Sequence, residues 1–388
     1  MKNINLSVPN LSLDIVDSLR ECIETGWVST GGKFIPEFEG KMAKYLHAKD
    51  TVGVQSGTAA LHIALRILGV EHNDEVFAPT LTFIAAVNPI IYQGASPIFM
   101  DCDDTLCMDP IKLEKFCREE CNFIEGKLIN KKTQKHIKAI VIVHIFGNLA
   151  NIEKIMDIAI QYNLKVLEDA TEALGSYYTE GRYQGKFAGT IGDFGAYSFN
   201  ANKIITTGGG GMLVSNSNFM LEKARFLSTQ AKTDPLYFIH DEVGYNYRML
   251  NLQAALGSSQ IDHLEEFIAT KERNYNHYLK GIEEINGLEI LSFVDYGRTN
   301  HWFYSLIIDK EKYGVGRDEL LQNLVEVGIQ TRPIWGLIHE QKSHKKYQAY
   351  QIEKAKYYYE RVLNLPCSSN LTKEEVNVVL ARLKELKK

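Results

Sequence analysis

Between residue 50 and about residue 215, short apolar runs alternate with segments of helical periodicity, and this alternation restricts the possible folds more than any other feature. Helical spacing is clear, for example, at Leu61, Ala64 and Leu68. The alternation predicts an α/β fold with a mostly parallel sheet covered by helices on both faces, and sites in such sheets form at the carboxyl ends of strands. The predicted strands are Thr51–Gln55, Glu75–Pro79, Pro97–Asp101, Lys138–Ile145, Leu164–Glu168, Gly195–Phe199 and Met212–Ser215.

The pattern changes in the last third of the chain, where Leu288–Val294 and Trp302–Asp309 alternate like strands of an antiparallel sheet. A chain of 388 residues is long for one core, so we expect a large domain over residues 1–265 and a small α+β domain over residues 266–388. The boundary is expected inside one long helix near residues 260–282, because no Pro/Gly-rich linker occurs there. Helices are predicted at Asp318–Val327, Glu353–Leu363 and Lys373–Lys387.

Charge and composition argue against several classes of partner. The net charge is −5 and no block of like charge dominates, so we expect neither nucleic acid nor a membrane surface as a partner. No run of roughly 18 apolar residues occurs, and residues 1–25 lack the apolar core of a signal peptide. The six cysteines are scattered without metal-type spacing, which favours free thiols in a reducing cytoplasm.

The segment Ser56–Leu61 follows a predicted strand and opens a helix with small residues. The free N–H groups and the positive dipole end of a helix N-terminus favour a phosphate, and Gly57 lets the backbone approach such a ligand closely. A Ser or Thr that merely caps a helix would look similar, so this segment alone does not establish a phosphate site.

The segment Leu167–Ala173 places Glu168, Asp169 and Glu172 at the end of an apolar strand. Carboxylates at this position can bind a metal or pair with a cationic heterocycle nitrogen, and an aspartate that only caps a helix is the simpler alternative. A metal site would draw on the acidic residues Asp101, Asp103, Asp104, Glu168 and Asp169.

Lys203 lies between the predicted strand Gly195–Phe199 and the four consecutive glycines Gly208–Gly211. Such a glycine run does not fit a helix or an ordinary strand interior, and it indicates tight backbone packing. Most lysines are simply solvated, but this position can hold a lysine close to a ligand.

The three segments together form the set that pyridoxal phosphate (PLP) requires. A cradle anchors the phosphate, a carboxylate keeps the ring nitrogen protonated, and a lysine forms a Schiff base and later moves a proton. Burial favours the neutral amine that the lysine needs for attack. We therefore expect a PLP enzyme.

The chain closely resembles the DegT/StrS-type sugar aminotransferases, a branch of the fold-type-I PLP enzymes. The resemblance covers essentially the whole sequence and implies a large PLP-binding domain followed by a smaller one. The matching segments, in order, are Gly26–Gly31, Phe38–Glu39, Ser56–Leu61, Ala78–Phe83, Val143–Gly147, Glu168–Gly175, Ser198–Gly211, Gly244–Arg248, Gln253–Ala255 and Thr331–Pro333.

The resemblance implies cofactor-binding roles for residues of these segments. Lys203 would be the Schiff-base lysine, and Asp169 would pair with the pyridine nitrogen. Phe83 would stack on the cofactor ring. The phosphate would be held by Gly57, Thr58 and Ser198.

The resemblance also implies a homodimer with shared active sites, because Asn246 would reach the phosphate bound in the partner subunit. Thr30, Arg248 and Arg332 lie in segments that the family places near the substrate. For either arginine, a salt bridge under a loop is an alternative role.

Glu172 departs from the family pattern, which usually has Gln or His three residues after the ring aspartate, in contact with the cofactor's phenolic oxygen. A carboxylate there would repel a phenolate unless it is protonated or turned toward a donor. The run Asp169–Ser176 is similar to that of the subgroup acting in bacillosamine and legionaminic acid pathways. An extra loop at about Phe123–His136 points to the same subgroup.

Taken together, the resemblance implies transfer of an amino group from L-glutamate to a nucleotide-linked keto-sugar, with a UDP-linked 2-acetamido-4-keto-6-deoxyhexose as the expected acceptor. A dehydratase branch of the family has histidine in place of Lys203, so the lysine indicates transamination. Three alternatives remain: a fold-type-I enzyme acting on amino acids, a non-catalytic nucleotide-sugar-binding regulator, and the metalloenzyme described above.

Overall fold

The computed structural model describes residues 3–388, and the helices found there alternate with strands along most of the chain. The α-helices are α1 Ile15–Thr25, α2 Phe34–Tyr45, α3 Gly57–Ile67, α4 Asn88–Tyr92, α5 Pro110–Glu119, α6 Ile152–Gln161, α7 Asn218–Ser228, α8 Asn251–Gln260, α9 Leu264–Ile282, α10 Lys310–Tyr313, α11 Arg317–Glu326, α12 Lys354–Arg361 and α13 Lys373–Glu385. Short 3₁₀ turns occur at Ile84–Ala86, Ile145–Gly147, Ile261–His263 and Ile338–Glu340.

The strands form one large sheet, one smaller sheet and two short ribbons. They are β1 Thr51–Val54, β2 Glu75–Pro79, β3 Ser96–Met100, β4 Cys121–Ile124, β5 Lys127–Asn130, β6 His136–Val143, β7 Lys165–Asp169, β8 Tyr177–Tyr178, β9 Phe194–Ser198, β10 Gly211–Val214, β11 Lys232–Asp234, β12 Ile239–His240, β13 Leu288–Ile290, β14 Gly297–Arg298, β15 Tyr304–Ile308, β16 Arg332–Pro333, β17 Ala349–Tyr350 and β18 Val362–Leu365.

The large sheet has the strand order β1-β10-β9-β7-β6-β2-β3-β17, with the β4–β5 hairpin attached to β6. Pairing is parallel from β9 to β17, and β10 alone on this path runs antiparallel to its neighbours β1 and β9. The expected α/β class with a mostly parallel central sheet is confirmed. Since β1, β7 and β9 point the same way, their carboxyl ends meet at one edge of the sheet.

The sequence analysis predicts an extra loop at about Phe123–His136. This prediction is wrong, because most of the segment belongs to a β-hairpin formed by β4 and β5. Glu125 and Gly126 make the turn with φ of 50° and 74°, which is the backbone that a tight two-residue hairpin requires. The hairpin continues the large sheet through antiparallel pairing of β5 with β6.

The smaller sheet is antiparallel, with the order β13-β15-β18-β16, and it agrees with the α+β character expected for the C-terminal part. The predicted helix Glu353–Leu363 ends at Arg361, because Val362–Leu365 pair with β15 as β18. Several pairings cross the expected boundary at residue 265: β17 joins the large sheet, β14 pairs with β8, and Ile4 bridges Ile329. The division into residues 1–265 and 266–388 remains a prediction.

Within residues 3–388, no helix combines the length and the apolar character needed to cross a bilayer.

The turn Ile145–Gly147 after β6 has an unusual backbone that brings it against the C-terminal part. Phe146 and Gly147 have φ of 56° and 89°, and both residues are buried. A Cβ atom added to Gly147 would lie 1.8 Å from Oδ1 of Asn300 and 3.2 Å from the backbone nitrogen of Trp302. Only glycine therefore fits at this contact.

We predict that Gly147→Ala lowers the free energy of unfolding by about 2–5 kcal/mol, because the left-handed backbone cost adds to overpacking against Asn300. Gly185→Ala is the matched control: Gly185 has φ of 79° but no atom within 4 Å of the added Cβ. Its loss should be limited to the backbone cost of about 1–2 kcal/mol. Urea unfolding of the two variants measures the difference, and equal losses would contradict the steric account.

Candidate active site

A cavity of about 320 Å³ opens where the ends of β1, β7 and β9 meet. The three segments singled out in the sequence all reach its wall, and residues of the C-terminal part close it. The wall includes Ser56, Gly57, Thr58, Phe83, Asp169, Glu172, Ser198, Lys203, Trp302 and Trp335.

One end of the cavity is formed by the first turn of α3. Ser56 caps this helix, with its Oγ accepting the backbone N–H of Ala59 at 3.0 Å, so the capping alternative is also realised. A Cβ atom on Gly57 would fall 2.9 Å from Cβ of Ser198, so the glycine keeps the cradle open. Unpaired N–H groups of the first turn and the helix dipole make this end suited to an anion.

Asp169 is the last residue of β7, and its carboxylate is buried in the cavity wall. Its Oδ1 accepts the backbone N–H of Thr171 at 3.1 Å. Burial raises the pKa of Asp169, while hydrogen bonds from Thr171 and the charges of Lys203 and His144 act in the opposite direction. A cationic nitrogen facing this carboxylate would hold it ionised.

The acidic residues of the metal alternative are engaged by other protein groups. Glu168 accepts N–H groups of Gly189, Ile191 and Gly192 and lies 3.1 Å from Nε2 of His144. Asp101 lies 2.6 Å from Nζ of Lys112. Across residues 3–388, no group of three or more His, Cys, Asp or Glu side chains is arranged to hold a metal ion.

Lys203 and Glu172 face each other inside the cavity, with Nζ of the lysine 3.7 Å from Oε1 of the glutamate. The other glutamate oxygen, Oε2, accepts the backbone N–H of Phe146 at 2.8 Å. Burial raises the pKa of Glu172 to about 7, and the nearby Lys203 charge limits the rise. Burial lowers the pKa of Lys203, opposed by Glu172 and Asp169. Burial thus favours the neutral form of both groups, and at neutral pH the Glu172 carboxyl is partly protonated.

Aromatic rings line the side of the cavity opposite the sheet. Phe83 is 54% exposed, as a ring available to a ligand should be, and its centroid lies 6.5 Å from that of Trp335. Trp335 in turn packs at 4.7 Å on Phe146. The face of Trp302 lies 4.0 Å from Nζ of Lys203.

Sequence reasoning missed Trp302 and Trp335, which are contributed by the C-terminal part. The chain has three tryptophans, and their rarity was the available signal. It also missed Asn300, whose Nδ2 donates to the backbone oxygens of Glu172 and Leu174, at 2.9 Å each. Asn300 thereby joins the acidic segment to the segment before β15 that carries Trp302.

Four residues expected near substrate or partner lie outside this cavity of the single chain. Arg248 is buried against Glu39, with Nη1 to Oε1 at 2.5 Å, and it also donates to the Gly53 carbonyl. Within the single chain Arg248 thus takes the salt-bridge role that the sequence left as an alternative, and its part in substrate binding stays a prediction. Asn246 and Thr30 are exposed, and exposed Arg332 lines a separate surface groove.

Comparison with known proteins assigns the family. A model of the DegT/DnrJ/EryC1/StrS aminotransferase family matches residues 9–384. The chain belongs to this family.

Relatives within the family act on sugars carried by nucleotides. The GDP-perosamine synthase of Escherichia coli O157:H7 is 35% identical over 386 residues, which cover 99% of each protein. A UDP-4-amino-4,6-dideoxy-N-acetyl-β-L-altrosamine transaminase from Campylobacter jejuni is 28% identical over 379 residues, covering 97% of this chain and 95% of the relative.

Among solved structures, Helicobacter pylori PseC, an aminotransferase involved in pseudaminic acid biosynthesis, has the same fold. Its TM-score is 0.88 at 23% identity, with 100% of this chain and 99% of PseC covered. The fold-type-I class, the family and the cofactor expected from the sequence are confirmed. The protein is a PLP-dependent sugar aminotransferase of the DegT family.

The residues of the cavity fit pyridoxal phosphate group by group. The cradle at Gly57 and Ser198 would hold the phosphate, since a side chain at residue 57 would fill it. The buried carboxylate of Asp169 would face the ring nitrogen, and the Lys203 amine lies in the same cavity. Glu172 meets both conditions set by the sequence, since one oxygen is turned to a donor and its pKa favours partial protonation.

We predict that Glu172→Gln changes how the stability of the cofactor-free protein depends on pH. The pKa of Glu172 is raised from 4.5 to about 7, so the folded chain binds more protons than the unfolded chain between these values. The free energy of unfolding therefore contains a part that falls as pH rises through this window, and the variant lacks that part.

Urea unfolding at several pH values between about 5 and 8 tests this prediction. The variant should gain stability relative to wild type as pH rises. Glu180→Gln, which changes an exposed carboxylate of the following loop, is the control and should run parallel to wild type. A Glu172→Gln curve that also runs parallel would contradict the assignment.

Proposed function

We propose that this aminotransferase moves the amino group of L-glutamate to a UDP-linked 2-acetamido-4-keto-6-deoxyhexose and forms a 4-amino sugar. The observation that carries the proposal is the convergence of the Lys203 amine, the Asp169 carboxylate and the α3 N-terminus on one cavity. The name of the Campylobacter relative, which contains UDP, an N-acetyl group and a 4-amino-4,6-dideoxy sugar, supports the acceptor. The GDP-perosamine synthase relatives make a GDP-linked keto-sugar the second candidate.

The chemistry that bound pyridoxal phosphate supplies is amino-group transfer with delocalisation of negative charge from the reacting carbon. We assign the remaining work to residues of the cavity. Lys203 moves the proton at the reacting carbon through its Nζ, and the lowering of its pKa by burial favours the free amine that a base requires. Asp169 holds a proton on the ring nitrogen. Glu172 exchanges a proton with Lys203 at 3.7 Å.

We further propose a homodimer in which Asn246 reaches the active site of the partner. Asn246 is exposed in the single chain and lies outside its own cavity. The preceding β11–β12 hairpin and the segment directly after it carry a cluster of exposed apolar side chains, and such a cluster is typical of a protein interface. The cluster consists of Leu236, Tyr237, Phe238, Ile239 and Val243.

A cytoplasmic location is part of the proposal. All six cysteines are free and buried, which fits a reducing compartment.

We predict that the rate of transamination falls about 100- to 10,000-fold in Lys203→Ala and Lys203→Arg. The base that moves the proton is absent in the first variant and permanently charged in the second. The measurement is release of 2-oxoglutarate from L-glutamate, followed by amination of the UDP-linked keto-sugar, with circular dichroism to check folding.

Wild-type protein should release 2-oxoglutarate and aminate the UDP-linked acceptor. Turnover confined to the GDP-linked acceptor would replace the nucleotide in the proposal. Reaction with free amino acids and neither acceptor would favour an amino-acid enzyme. Sustained turnover by Lys203→Ala without added amines would overturn the role of the lysine.

The shared site predicts complementation between two inactive variants. Mixing Lys203→Ala with Asn246→Ala chains should restore about a quarter of the wild-type activity, because half of the dimers are mixed and each contains one intact site. The control mixes Lys203→Ala with Asp169→Ala, whose residues line the same cavity of one chain, and should restore nothing. An absence of restoration in the first mixture, once subunit exchange is verified by mass spectrometry, would count against the trans role of Asn246.

A further inference from the structure

Trp302 occupies a position against Lys203 that the family assignment does not explain. The centroid of its ring lies 4.0 Å from Nζ of Lys203. Oε1 of Glu172 lies 3.7 Å from the same atom. The amine is therefore close to both an aromatic face and a carboxylate, and the tryptophan is 3% exposed.

The indole ring is fixed in its orientation by polar contacts. Its Nε1–H donates to the carbonyl of Asn202 at 2.9 Å, so the ring is bonded to the residue that precedes Lys203. The backbone N–H of Trp302 donates to Oδ1 of Asn300 at 3.0 Å and to the carbonyl of Phe146 at 3.1 Å. Phe303 packs edge-on against the ring at 4.3 Å. The ring face cannot turn away from Lys203 without breaking these contacts.

A second lysine, Lys271 on α9, secures the backbone of Trp302 from behind. Its buried Nζ donates to the carbonyl of Trp302 at 3.1 Å and to the carbonyl of Cys367. Burial lowers the pKa of Lys271, and both of these acceptors are backbone carbonyls rather than carboxylates. Burying an amine in this way is costly, and it is explained if the position of Trp302 must be kept.

The physical effect of the ring on Lys203 has a definite sign. An aromatic face attracts an ammonium group and not a neutral amine, most strongly where water is excluded. Burial acts the other way, because it disfavours the charged form. Trp302 and Glu172, which both lie close to the same nitrogen, therefore both oppose the effect of burial.

We propose that Trp302 is a positioning residue for Lys203: its indole face holds the side-chain amine beside Glu172 whenever that amine is not bonded to the cofactor. The inference rests on the proposed role of Lys203 as the group that moves the proton. It adds to that role a reason why the released side chain stays at the reacting centre instead of swinging away. Trp302 itself exchanges no proton.

The test measures the ionisation of Lys203 in the full-length chain freed of cofactor. Competitive acetylation with acetic anhydride at a series of pH values, read by peptide mass spectrometry, gives the pKa of individual lysines. Trp302→Leu removes the ring and should lower the pKa of Lys203 by about 0.5–1.5 units, because the charged form loses its attraction to the aromatic face. Trp302→Phe keeps an aromatic face and should recover most of the shift.

Trp335→Leu is the matched control, since it removes a tryptophan from the same cavity whose ring packs on Phe146. The pKa of Lys203 in this variant should equal that in the wild-type protein. Two titratable groups face Lys203, namely Glu172 and Asp169, and both are present in every variant.

A Lys203 pKa that does not fall in Trp302→Leu would overturn the proposal, and so would an equal fall in Trp302→Phe or in Trp335→Leu. If Trp302→Leu fails to fold, Trp302→Met, which also lacks an aromatic face, takes its place with the same expected fall in the Lys203 pKa and the same contradicting outcomes. No sugar substrate enters this measurement, so its outcome is independent of whether the proposed acceptor is correct.

Discussion

The common direction of β1, β7 and β9 is the constraint on which the active site depends. β10 is antiparallel to both β1 and β9, so β1 and β9 run in the same direction. β9 is in turn parallel to β7. Three loops that are distant in sequence therefore leave the sheet at the same edge. The phosphate cradle, the ring carboxylate and the lysine can meet there without any long connection, since each lies at or just beyond the end of its own strand.

The ionisation of groups in the cavity follows from the exclusion of water by the residues around it. With apolar strands behind and aromatic rings in front, water cannot stabilise an isolated charge at Lys203 or Glu172. Each group is therefore stable as a neutral species or as one half of a pair. This explains how the family's usual Gln or His can be a glutamate here: the turn at Phe146 supplies an N–H to one oxygen, and the lysine faces the other. The strained backbone of Phe146 is what directs that N–H into the site.

The parts of the fold and of the site that could be predicted from the sequence are those marked by a local sequence pattern. The seven strands and the three cofactor segments were predictable, because each is a short apolar run ending in residues with a chemical reason to be there. The β4–β5 hairpin was missed although its Glu125–Gly126 turn was visible, since no strong alternation surrounds it. Trp302 and Asn300 could not be placed, because their contacts with Lys203 and Glu172 depend on how the C-terminal part packs on the large sheet.

For Arg248, in contrast, the sequence did carry a pattern, but that pattern did not specify which group the arginine contacts. Its segment matches the family pattern, yet the guanidinium is taken up by the buried carboxylate of Glu39 and by the Gly53 carbonyl. An arginine this well paired would leave an uncompensated buried carboxylate if it turned to a ligand, which makes such a movement costly. Within one chain the cavity thus brings together Lys203, Asp169 and the N-terminus of α3, while Asn246 and Thr30 remain on the surface. In the proposed homodimer, a second subunit that brings Asn246 to the phosphate end of the cavity would add a contact that the single chain lacks, and exposed segments such as that of Thr30 would be left to face the sugar.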